Sequence, residues 1–151
     1  MRRLVGGLLV AAALAVMVPV VALAAGSDPN GKATFMGTIK SSGKTATLNV
    51  RYRCASGDAL WVSAKQTKSG VSATRLMKEG SSKGSAGWLE SHRNKFICNG
   101  RMHTGRFSID TIEKGSKGTL RTGTAWVQFC VTKGQEDLVL SKSGWVRVVV
   151  V

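Results

Sequence analysis

Acidic residues are scarce in this chain: 8 Asp and Glu stand against 22 Lys and Arg, for a formal charge of +14. The acids are mostly single and sit in apparent turns, so the carboxylate pair that glycoside hydrolysis needs across a cleft is not offered. Histidine is rarer still, with two residues, His92 and His103, and cysteine occurs three times. Those residues follow no recognised ligand spacing, and a zinc centre requires three or four converging ligands. Proline occurs twice, and no proline-rich or low-complexity linker follows Asp28-Pro29-Asn30-Gly31, which argues for one domain. No repeat of fixed period is present, and no helix-turn-helix, RNP1 or zinc-finger motif accompanies the positive charge. A second apolar span is also missing, because WVRVVVV at the carboxyl end is too short to cross a bilayer and carries Arg147.

What the amino end does contain is a leader. Arg2 and Arg3 precede an uncharged run of Leu, Val, Ala and Gly to Ala25, interrupted by Pro19, with small residues at Ala22 and Ala24. A charged start, an apolar middle and a small-residue site read as a secretory signal peptide over residues 1–24, with an uncleaved anchor as the competing reading. Residues 25–32 then form a short flexible lead, and residues 33–151 one folded domain. An exported chain with this charge meets polyanions such as anionic wall polymers, nucleic acid or lipid headgroups, unless the charge serves only solubility.

In the mature region the clearest period is two. In TATLNVRYRC, Ala46, Leu48, Val50, Tyr52 and Cys54 alternate with Thr45, Thr47, Asn49, Arg51 and Arg53, the pattern of a half-buried strand. Residues 33–40 predict the preceding strand, joined through Ser41-Ser42-Gly43-Lys44 as a hairpin. Further strands are expected at 60–66, 95–98, 106–109, 124–132 and 145–151, with a helical turn or a strand at 71–78. Seven or so short strands separated by Gly, Ser and Lys clusters indicate an all-β sandwich or barrel, and the single antiparallel β-sandwich is the expected form.

Export would place the cysteines in an oxidising compartment, where a disulfide is the first expectation. Joining Cys54 to Cys98, or Cys98 to Cys130, gives about the same loop-closure stabilisation, roughly 4 kcal/mol, so energy does not choose. Side-chain parity favours Cys54 with Cys98. Cys54 shares a face with Leu48, Val50 and Tyr52, and Cys98 with Phe96, whereas Cys130 lies with Trp126 and Gln128 opposite Val127, Phe129 and Val131. Cys130 is then a free thiol, or the link in a dimeric interaction module. The stretch WLESHRNKFICNGRMH, residues 88–103, gathers Glu90, His92 and His103. These are the residue types of a small secreted hydrolase of nuclease kind, with Arg93 or Arg101 assisting. Against that stands a surface loop in which Cys98-Asn99-Gly100 turns into the next strand.

Four tryptophans dominate the aromatic content, since there are one tyrosine and four phenylalanines besides. Trp61 alternates opposite Leu60, Val62 and Ala64, and Trp145 shares a face with Arg147, so both are expected outside the core. There they either stack on sugars or bases or pack beneath loops. Lys40, Lys44, Arg51, Arg53 and Lys65, with Trp61, are the expected polyanion-binding set, provided their strand faces are solvated.

With RYRC at 51–54, LWVSAKQ at 60–66, EGSS at 79–82, WLESHRN at 88–94, CNG at 98–100 and AWVQFC at 125–130, the chain resembles a group of small secreted actinobacterial proteins. That resemblance implies an immunoglobulin-like sandwich over most of residues 33–151 and carries over no activity, cofactor or catalytic residue. Trp61 follows Cys54 too closely, and the Cys54 to Cys98 interval is too short, for a true immunoglobulin domain. The expectation from sequence is thus a secreted, basic, non-enzymatic binding or structural domain at or outside the cell wall. It takes no cofactor or metal, its partners are anionic polymers or a protein, and the mature chain has no membrane span.

Overall fold

A computed structural model of the chain describes residues 31–68, 73–77, 84–110, 116–134 and 137–151. The expected signal peptide and most of the flexible lead lie outside the described residues. Seven strands follow in order: β1 (Lys32–Ser41), β2 (Thr45–Arg53), β3 (Ala59–Thr67), β4 (Ser85–Arg93), β5 (His103–Asp110), β6 (Gly123–Lys133) and β7 (Asp137–Val150), with a 3-10 turn at Ala73–Met77 between β3 and β4.

The strands form a closed barrel in the order β1-β2-β5-β4-β3-β6-β7, which overturns the expected sandwich and its immunoglobulin-like form. Closure is made by a parallel pairing of Ile39, Lys40 and Ser41 with Val148, Val149 and Val150. Alternation within a strand reports which face is buried, but not whether the last strand returns to the first. An open sandwich leaves edges with unpaired backbone groups, and closure removes them.

Inward side chains fill the lumen. Leu48, Val50, Tyr52, Leu60, Val62, Leu89, Ile109, Val127, Val131 and Val148 are buried in one cluster. Tyr52, Phe107 and Phe129 pack as a trio with ring centroids 5.3 to 5.8 Å apart. A disulfide joins Cys54, at the end of β2, to Cys98 in the β4–β5 loop, with Cα atoms 5.0 Å apart, as parity suggested.

The strand expected at Lys95–Cys98 is loop; the strand there is the earlier β4, Ser85–Arg93. Sequence alternation does not reveal β4 because both of its faces are covered, with Trp88, Leu89, Glu90 and Ser91 all buried in succession. The 3-10 turn falls within the ambiguous 71–78 segment, and β7 begins eight residues before the expected strand at Trp145.

One seam is weak. β4 and β5 pair only at Glu90 and Asp110, and side chains continue the bonding where the ladder stops. Ser116 Oγ accepts from Glu90 N at 3.2 Å and donates to Asp110 O at 3.1 Å. Ser91 Oγ accepts from Asp110 N at 3.3 Å, and Arg93 Nη2 donates to Ser108 O at 2.6 Å. Lys117 exchanges both backbone hydrogen bonds with Trp88 at 2.8 Å, covering the edge of β4 that β5 leaves free.

Candidate functional site

Strand order divides the outer wall of the barrel into two chemically different faces. On β4, β3, β6 and β7 the outward residues form three cross-strand rows. The first row is His92, Trp61, Cys130 and Ser141. The second is Glu90, Ser63, Gln128 and Ser143, and the third is Trp88, Lys65, Trp126 and Trp145.

The middle of this face is not solvated. Lys65 is 0% exposed, which corrects the expectation that its strand face meets water. Its Nζ donates to Gln128 Oε1 at 3.2 Å and lies 4.5 Å from the Trp88 ring centroid. Taking an ammonium out of water costs several kcal/mol unless such partners compensate. Glu90, 8% exposed, accepts from Trp61 Nε1 at 3.4 Å. The 3-10 turn packs over β3, with Leu76 fully buried outside the luminal cluster. Trp61 does point away from the lumen, but it is half-buried and its ring meets His92 edge-on at 6.3 Å. Beside that pair opens a small cavity of about 270 Å³, lined also by Leu60, Thr132 and Gly134. Ser63 Oγ, Trp88 Nε1 and Trp126 Nε1 are buried and find no hydrogen-bond partner among the described residues.

The three residues of the hydrolase reading are not brought together. Glu90 and His92 project outward from β4, whereas His103 stands opposite the inward Tyr52 and so belongs to the other side of the wall. Arg93 bonds at the level of Ser108, and His103 is five residues further along β5, about 17 Å at the rise of a strand. His103 Nε2 instead meets Asn99 Oδ1 at 2.7 Å, tying the loop that carries Cys98 to the start of β5. Cys130 is half-buried and outside the disulfide, and its Sγ lies 3.7 Å from Ser141 Oγ. Among the described residues no three His, Cys, Asp or Glu side chains group as metal ligands. No helix among them is long and apolar enough to cross a membrane.

The second face is carried by β1, β2 and β5, and it is basic. Arg53 stands directly opposite Lys32, and Arg51 lies between Thr34 and Thr104. Asn49 lies between Met36 and Arg106, and Thr47 between Lys40 and Ser108. Lys32, Lys40, Arg51 and Arg106 are exposed and Arg53 half-buried, with Lys44 exposed in the β1–β2 turn. At ordinary strand spacing these cations occupy a patch of about 10 by 20 Å. Among the described residues the acid on this face is Asp110, at the far end of β5 beside the seam. Like charges directly opposite one another, as Lys32 and Arg53 are, cost stability by a few tenths of a kcal/mol or more.

Of the six residues expected to bind a polyanion, Lys40, Arg51 and Arg53 share this face and Lys44 borders it. Lys65 and Trp61 lie on the other half of the wall. Sequence reasoning missed Lys32 and Arg106. Parity alone places Arg106 opposite the apolar Phe107, but only the β2–β5 pairing sets it beside Asn49.

One titratable group on the inner side is perturbed. Burial pushes the Tyr52 hydroxyl above its usual range, and a backbone hydrogen bond with Ile97 pulls weakly the other way.

No protein-family model matches this chain, and no curated protein matches it either.

Proposed function

We propose that this protein is an exported, non-enzymatic module that binds anionic polymers at or outside the cell wall through the outer face of β1, β2 and β5. The observation that carries the reading is the grouping of Lys32, Lys40, Arg51, Arg53 and Arg106 on three adjacent strands, with Asp110 the one acid at the margin among the described residues. A field of one sign on a rigid wall attracts polyanions and releases their counterions on contact. The leader-like residues 1–24 and the Cys54–Cys98 disulfide both support an oxidising, extracytoplasmic setting.

Binding of this kind weakens steeply with salt. The test is co-sedimentation with purified cell walls, before and after removal of their anionic polymers, together with binding to inorganic polyphosphate, each across a salt series. Salt-sensitive binding that disappears with the polymers is expected. Absence of binding to both, or binding unchanged by a tenfold rise in salt, would show that the charge serves only solubility.

A further inference from the structure

β1 leaves β7 early. The two strands pair only over Ile39–Ser41, and the register of β1 against β2 slips between Met36 and Lys40. Gly37 lies within that irregularity at φ 70°, a left-handed conformation that other residues adopt only with strain. Upstream of it the strands separate and leave a groove of about 360 Å³, lined among others by Thr34, Phe35, Lys142, Gly144, Trp145 and Arg147.

The groove combines a fixed ring with cations. Trp145 is 42% exposed, and Trp126 holds it edge to face at 5.3 Å and 66°. Phe35 closes the floor against Gly144, with its ring 3.7 Å from where a Cβ would stand. Arg147, two residues along β7, and Lys142 are exposed at the same opening. Thr34, exposed on the β1 side of the groove, stands opposite Arg51 within the basic face, so groove and patch are continuous.

We infer that the polyanion taken by the basic face is one that carries accessible planar rings, a single-stranded nucleic acid, and that Trp145 stacks on one of its bases. This rests on the polyanion-binding reading above. A polymer of phosphates alone satisfies the cations but leaves the tryptophan face wet, and a duplex hides its rings within the stack. Aromatic stacking on single strands is sequence-tolerant because every base has a π-face, and Arg beside the ring adds to it.

The experiment is fluorescence anisotropy of a labelled oligothymidylate of about twelve nucleotides, compared with a duplex of the same length and with competing polyphosphate. The protein and its Trp145→Ala, Trp145→Phe and Arg147→Gln variants are measured at one salt concentration. Trp145→Ala is expected to lower single-strand affinity about fivefold or more while leaving polyphosphate affinity unchanged, and Trp145→Phe to recover part of the loss. Arg147→Gln should weaken both ligands. If Trp145→Ala leaves single-strand binding unchanged while polyphosphate still binds, stacking in the groove is refuted and the basic-face reading survives. If neither ligand binds, both fall. Because Trp145 is partly exposed, circular dichroism and the melting midpoint should stay near those of the parent. Trp145→Phe keeps the test valid if the alanine variant does not fold.

Discussion

Removing the Cys54–Cys98 bridge should cost this domain a large part of its stability. The bridge spans 44 residues, and a loop of that size gives about 4 kcal/mol in the chain-entropy treatment, within a usual range of about 2–5 kcal/mol. For a domain of about 120 residues the same loss is roughly 15 °C in melting midpoint. Structure adds to the entropy term, since the bridge holds the 94–102 loop against the end of β2, where Gly100 N donates to Cys54 O at 2.7 Å. The comparison is a Cys130→Ser protein with and without Cys54→Ala and Cys98→Ala, unfolded in urea and followed by tryptophan fluorescence. Starting from Cys130→Ser keeps a stray thiol from forming new pairs, and alanine leaves each Cβ in place. The midpoint should fall, and the urea dependence should steepen because the unfolded chain becomes more expanded. A loss below about 1 kcal/mol would refute the argument, because a constraint on an unfolded loop of this length cannot be that weak in the same treatment.

Other expectations follow from particular contacts. Lys65→Met removes the donor to the buried Gln128 Oε1 and should destabilise the fold by about 1–3 kcal/mol in urea titration, while polyphosphate affinity stays within about twofold. A drop in affinity at unchanged stability would return Lys65 to the binding face. At Gly118, φ is +62° and a Cβ would overlap Ala86 O, so Gly118→Ala should cost about 1–3 kcal/mol by thermal melting; a neutral result would mean that the segment beside β4 is loosely held. Tyr52 is the chain's single tyrosine, so phenolate absorbance reports on it alone. Its hydroxyl should titrate above the ordinary value near 10 in the folded protein and return to about 10 in urea. The unfolded chain then loses this proton first, so the contribution of Tyr52 is intact below pH about 10 and is lost as pH rises through the folded value. A folded titration at or below the ordinary value would contradict the burial.

Much of this architecture is written into local alternation. The run from Thr45 to Cys54 names its own faces, places Cys54 inward and makes the bond to Cys98 legible by parity. The same rule sends Trp61 outward. Three features escape it, each for a physical reason. β4 is covered on both faces, so SAGWLESHR shows no polar and apolar alternation to read. Lys65 breaks the default that lysine lies at the surface, because Trp88 and Gln128 stand on the strands either side of it only after β3 is sandwiched between β4 and β6. Strand order is the third. Arg51 and Trp61 both point outward, yet β2 and β3 are separated by β5 and β4 in the barrel. A set that looks contiguous along the chain therefore divides between different parts of the barrel's outer surface.

On the proposed reading the face of β1, β2 and β5, not the net charge, binds the polyanion. The direct measurement compares polyphosphate affinity across a salt series for Arg51→Gln with Arg53→Gln and Arg106→Gln against a control that loses three charges elsewhere, at Lys95, Arg121 and Lys133. The face variant should lose most of its affinity, and its slope of log affinity against log salt should flatten by about two, at roughly 0.7 per contact for a flexible single-chain polyanion. The control should keep both affinity and slope near those of the parent. Equal losses in the two proteins would show that only net charge matters and would contradict the assignment of this face.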